Sequence, residues 1–108
     1  MEKQLLSVIY TATLKCLNVA QKITCVNDIK KSMVYENLIS NLMLIKDTEA
    51  KLSDETKAKL NTINWDKFEK YDKEIISDLH ETNDEVIYMI IKEELPVLFE
   101  KLERIVFS

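Results

Sequence analysis

Only one histidine, His80, stands in this chain, and no other type of side chain present ordinarily changes charge so close to neutral pH. It could pass a proton to or from a reacting group, or it could cap a helix C-terminus, where the helix dipole favours its charged form. Asp72, Glu74, Asp78, Glu81 and Asp84 surround it in sequence, a ring that favours the imidazolium and repels anions. Lys73 precedes it by seven residues, which on a continuous helix puts the two on nearly the same face; taken alone, Lys73 reads as a solvated surface cation. Asn41 and Asp47, taken alone, read as groups that hydrogen-bond between helices. Trp65, Phe68 and Tyr71 suit a buried core or a platform for stacking bases, and the core is the commoner use of such a run.

The two cysteines, Cys16 and Cys25, are nine residues apart. On one helix that spacing points them to opposite sides, so a disulfide between them is excluded there. Both are expected to be buried, reduced thiols. With a single histidine a Cys/His zinc site has too few ligands, so no metal and no cofactor are expected.

The elements that must position these groups are helices. The sequence has 108 residues, no glycine and one proline, Pro96. Tight β-turns call for residues at positive φ, and a glycine-rich phosphate loop is impossible without glycine. Apolar residues at three- and four-residue steps predict a first helix over 3–24, with Leu5, Ile9, Ala12, Cys16, Val19, Ala20 and Ile23 inward. A second is predicted over 28–52 with Val34, Leu38, Leu42, Ile45 and Leu52. Ser53, followed by Asp54 and Glu55, reads as the cap of a short third helix ending near Leu60. Asn64 is placed to cap a fourth, which carries Trp65, Phe68, Tyr71, Ile75, Ile76 and Leu79. Thr82 and Glu85 have the spacing of a capping box for a fifth helix that runs to Val106. Its seam is Ile87, Ile91, Leu95, Leu98, Leu102 and Ile105, and Pro96 should kink it. The expected fold is all-α, a four- or five-helix up-and-down bundle forming one domain over 1–108.

Charge narrows the partners. Residues 1–52 hold seven lysines and five acids; residues 53–108 hold eight bases and fourteen acids, for a net charge of −4. Nucleic acid is ordinarily held by a basic face that displaces counterions, and no long basic stripe is present. No signal segment and no apolar run of membrane-spanning length is apparent, which predicts a cytoplasmic protein without a membrane partner.

Two stretches carry a family resemblance. Tyr35-Glu-Asn-Leu-Ile-Ser-Asn-Leu-Met-Leu-Ile-Lys-Asp-Thr-Glu-Ala-Lys-Leu-Ser53 and Asn83-Asp-Glu-Val-Ile-Tyr-Met-Ile-Ile-Lys-Glu-Glu-Leu-Pro-Val-Leu98 resemble the HepT-like toxins of the HEPN fold. The Asn64-Trp65 step stands where that family has Pro-Trp. The resemblance implies a helical homodimer, a metal-independent endoribonuclease toxin, and a minimal nucleotidyltransferase (MNT) antitoxin as partner. In that family an Arg, separated from a His by four to six intervening residues, steadies the phosphate while the His exchanges protons with the 2′-hydroxyl and the leaving oxygen. His80 would be the catalytic His, with Lys73 at the longest permitted spacing in place of the Arg. Asn41 matches in the first stretch and Asp47 keeps a carboxylate, so the resemblance implies these two as candidate binding residues.

The departures are equally specific. Ile75 and Glu74 occupy the two shorter Arg spacings, and a lysine cannot grip phosphate with two parallel donors. Thr82 stands where the family places a Tyr, and Ser40 and Lys46 replace an Arg and a Gly. Three readings follow. A HepT-like protein that binds its nucleotidyltransferase and has lost or weakened the ribonuclease chemistry is favoured. An active ribonuclease using His80 and Lys73, and a generic helical interaction module, are the alternatives.

Overall fold

The computed structural model describes residues 2–31, 35–75 and 83–107. The described residues are helical, with no strand among them: α1 (Lys3–Ala20), α2 (Asp28–Lys31), α3 (Tyr35–Glu49), α4 (Asp54–Lys59), α5 (Asp66–Glu69), α6 (Tyr71–Ile75), α7 (Asp84–Met89), a π-helical turn (Ile90–Glu94) and α8 (Leu95–Val106). The all-α expectation is met. α1 lies between α3 and α8, and α6 packs on α3, α5 and α7.

One apolar core runs through these contacts. Leu6, Ile9, Cys16, Leu38, Leu42, Ile45, Ile87, Ile91, Leu95 and Leu102 are shut off from solvent, so most of the predicted seam positions are buried. Leu6 is buried where the spacing predicts Leu5; Leu5, Val19 and Ile105 are only partly buried, and Val34 lies outside the described residues. At about 2 kcal/mol for each fully buried aliphatic side chain, these seams are the main favourable term. Thr13 lies inside the same seam because its hydroxyl donates to the Ile9 carbonyl at 2.7 Å, within its own helix.

Helix ends differ from expectation where side chains compete for the backbone. α1 stops at Ala20, not Thr24, because Lys22 and Ile23 form tighter bonds to Val19 and Ala20. The Thr24 amide and hydroxyl then donate to the Asp28 carboxylate, at 3.0 and 2.8 Å. Lys92 Nζ also donates to the Ala20 carbonyl at 2.7 Å, and the Tyr88 hydroxyl to the Thr24 carbonyl at 3.2 Å, which ties the turn after α1 to the segment before α8. α3 ends at Glu49, with Leu52 turned back onto the Glu49 carbonyl. Ser53 caps α4 as expected, its Oγ accepting from the Thr56 amide at 3.2 Å. Glu2 Oε1 accepts from the Ser53 amide (2.7 Å) and the Thr56 hydroxyl (3.0 Å), clasping the first residues to the start of α4.

Asn64 does not cap the next helix with its side chain; the cap position is Trp65, and the predicted fourth helix is interrupted at Lys70 into α5 and α6. The last helix starts from Asn83, whose side chain accepts from the Val86 amide at 3.3 Å; the predicted cap Thr82 lies outside the described residues. Just ahead of Pro96, the five residues before α8 widen into a π turn. Proline offers no N–H to the carbonyl four residues back and its ring crowds that carbonyl. One extra residue in the turn relieves both problems.

Candidate functional site

The residues singled out from the sequence fall in separate places. Lys73 is exposed on the short helix α6. His80 lies outside the described residues, but the two flanks of its segment are joined: the Asn83 amide donates to the Ile75 carbonyl at 2.6 Å. Asn41 is half-buried on α3, and its Nδ2 donates to the Asn37 carbonyl at 2.8 Å, a bond within its own helix. Asp47 is exposed further along α3, about 120° around the helix from Asn41, so the two do not share one face.

The aromatic run is core. Trp65, Phe68 and Tyr71 are all buried and meet edge to face at 5.8 and 5.4 Å, the arrangement ring quadrupoles favour. The Trp65 indole donates to the Leu60 carbonyl at 3.2 Å. The Tyr71 hydroxyl is sealed in without a hydrogen bond of good geometry among the described residues. Burial, reinforced by the nearby Glu94 carboxylate, raises its pKa far above the ordinary tyrosine value.

The cysteines divide. Cys16 is buried and burial raises its pKa to about 12, so it stays a thiol. Cys25 is exposed, contrary to the expectation that both are buried, because the chain has left α1 before reaching it. No group of His, Cys, Asp and Glu able to hold a metal occurs among the described residues.

What the fold does assemble is a groove of about 360 Å³ between the 62–68 corner and the last helix. Ile63, Phe68 and Leu98 form its apolar floor, while Met89 and Val97 stand at its edge, 44% and 50% exposed. Its cations are already engaged: Lys67 Nζ is 3.5 Å from Glu94 Oε1, and Lys101 Nζ donates to the Thr62 carbonyl. Glu93 is exposed on the π turn. Such a groove can hold an apolar side chain between polar ends, the usual make-up of a binding cleft. A sequence signal for it existed in the row Met89, Glu93, Val97, Lys101, spaced by four beside the buried seam. The π turn that sets its shape has no such signal.

A second buried polar site lies at the end of α3. Glu49 is fully buried, with Lys57 Nζ 2.6 Å from Oε1. The approach is close, yet neither Glu49 oxygen makes a hydrogen bond of good angle among the described residues. Lys57 is accordingly held above the ordinary lysine pKa, chiefly by its side-chain contact with Glu49.

The fold and groove define an all-α protein with an apolar cleft and no assembled catalytic cluster among the described residues. No family model, curated protein or solved structure matches the chain. Among the described residues no helix is long and apolar enough to cross a membrane.

Proposed function

We propose that this chain is a HEPN-type, HepT-like helical protein that works by binding: it pairs with itself and with a nucleotidyltransferase partner, and its ribonuclease chemistry is lost or much weakened. The observation carrying this reading is the groove beside the π turn, where Met89 and Val97 stay exposed while Lys67 and Lys101 are spoken for. An exposed apolar rim over an apolar floor is the make-up of a contact surface. The all-α order, the helix entry at Asn83 and the Leu95–Pro96 step agree with the two stretches that carry the resemblance. On the chemical side, Lys73 is an exposed lysine without the fork of an arginine, and the carboxylates around it disfavour a phosphate chain.

The test is incubation of a mixed RNA pool with purified wild type and His80→Ala in the absence of metal. The proposal expects intact RNA with both. Cleavage by the wild type that disappears in His80→Ala would refute it and establish a metal-independent endoribonuclease, with Lys73→Ala the next variant to assay.

A further inference from the structure

Every described helix except α4 lies close against another. The sequence of α4 explains the exception. Asp54, Glu55, Ala58 and Lys59 are exposed and Thr56 is its one buried residue, so α4 has no apolar seam to bury. Six residues are also too few to hold a helix on their own. Two carboxylates hold it down instead. Glu2 Oε1, at the cap of α1, accepts from the Ser53 amide and the Thr56 hydroxyl, and Glu49, at the end of α3, takes the Lys57 ammonium. Apolar side chains anchor the chain on either side of α4, at Leu52 and Ile63, both 5% exposed. Past α4 the Leu60 carbonyl accepts from the Trp65 indole, and the Thr62 carbonyl from Lys101.

We propose that α4 is a hinged strap: residues 53–59 lift off as one unit while the rest of the fold stays in place, and lifting uncovers Glu49. The hinges fall at Leu52 and Leu60, where the anchors on either side begin. Lifting gives up none of the apolar burial that resists the opening of the longer helices. What it breaks is polar, and water replaces those bonds as the strap leaves. Glu49 pushes the same way. Its two oxygens are sealed without a hydrogen bond of good angle among the described residues, so hydration lost on closing is regained on opening. The closed strap thus keeps a carboxylate from water, and the open strap presents it at the end of α3. This device does not depend on what the chain binds. The groove keeps its shape as the strap lifts, because the bonds at Leu60 and Thr62 lie outside residues 53–59.

Native-state hydrogen exchange, read by NMR on the full chain, tests the strap. Its reporters are the amides of Ser53, Thr56, Lys57 and Leu60, bonded to Glu2, the Ser53 hydroxyl, the Ser53 carbonyl and the Thr56 carbonyl. The reference is the amides of α3 around the buried Leu42. The four should share one opening that low guanidinium leaves unchanged, with protection at least about tenfold below that of α3. Glu2→Ala removes only the bonds to Ser53 and Thr56, yet all four amides should exchange at least about threefold faster. Lys57→Met should speed the same four at least about tenfold, and α3 amides slower than the strap in both variants show that the bundle is folded. Exchange of the four with the protection and guanidinium dependence of α3 would overturn the strap, since α4 would then leave only with the whole fold. Acceleration by Glu2→Ala confined to Ser53 and Thr56 would overturn it too, since α4 would be fraying residue by residue.

Discussion

Replacing Lys57 by Met removes the counter-charge of a carboxylate that no solvent reaches. At 2.6 Å and an effective dielectric constant near 20, the bare attraction between the two charges is about 6 kcal/mol. Desolvation offsets much of that while the pair is intact, so the pair as a whole contributes little. The single substitution does not share in the cancellation, because the cost of burying Glu49 remains and its compensation is gone. Since Lys57 is itself 21% exposed, the low end of the usual range applies, about 3 kcal/mol. For a chain of this size that is a fall of about 12 °C in Tm. The double variant Glu49→Leu/Lys57→Met should return to within about 1 kcal/mol of wild type. Guanidinium unfolding followed by far-UV circular dichroism measures all three proteins. The pair also has a signature in alkali. Because folding raises the Lys57 pKa above its ordinary 10.5, the stability it contributes is fully present below that value. It is lost as pH rises through the folded pKa, so the gap between wild type and Lys57→Met should close there. A loss below about 1 kcal/mol for Lys57→Met would place this pair with exposed ones such as Lys59–Glu55, and the reasoning would fail.

Tyr71→Phe removes a buried hydroxyl that has no good partner, so it should leave stability unchanged or raise it by up to about 1 kcal/mol in the same unfolding assay; a loss beyond that would mean the hydroxyl is satisfied. Thiol titration of the native protein should find Cys25 reactive and Cys16 silent, with both reacting once denaturant is added. Asp28 is held below its ordinary pKa of 3.8, first by the Thr24 amide and then by the Thr24 hydroxyl. Its contribution is therefore present above that value and lost as pH falls through the folded pKa. Asp28→Asn should show a shallower decline of Tm in acid than wild type, and parallel declines would contradict the assignment.

The apolar seams were legible because a helix repeats every 3.6 residues and its core face repeats with it. Ile9, Leu42, Ile91 and Leu102 are inward as the spacing says. Helix ends were less so, since they depend on contacts far away in sequence: Lys92 reaches α1 from the other end of the chain, and Lys70 breaks a helix whose apolar pattern continues. The burial of Glu49 has no sequence signal, because its partner Lys57 comes only after the Ser53 boundary. Of the candidate site, the exposure of Lys73 fits the plain reading of a solvated cation. His80 lies outside the described residues, and Asn41 and Asp47 share a helix but no face. The row Met89, Glu93, Val97 and Lys101 carries a signal for one wall of the groove, but its shape was hidden for a geometric reason: it lies between an irregular corner and a widened turn, and neither has a period to read.

The π turn has a last consequence for the length of the chain. A helix that widens for one turn holds one residue more than a straight helix with the same two ends. Deleting a residue from an ordinary helix swings everything beyond it by about 100°, which would drag Leu95, Leu98 and Leu102 off the core. Here, loss of the exposed Glu93 would remove the surplus and leave both halves of the seam facing as they do now, provided Pro96 were also replaced by a residue with an N–H. Insertion and proline thus belong together as one compensated change in the reading of this helix, and a relative lacking one should lack the other.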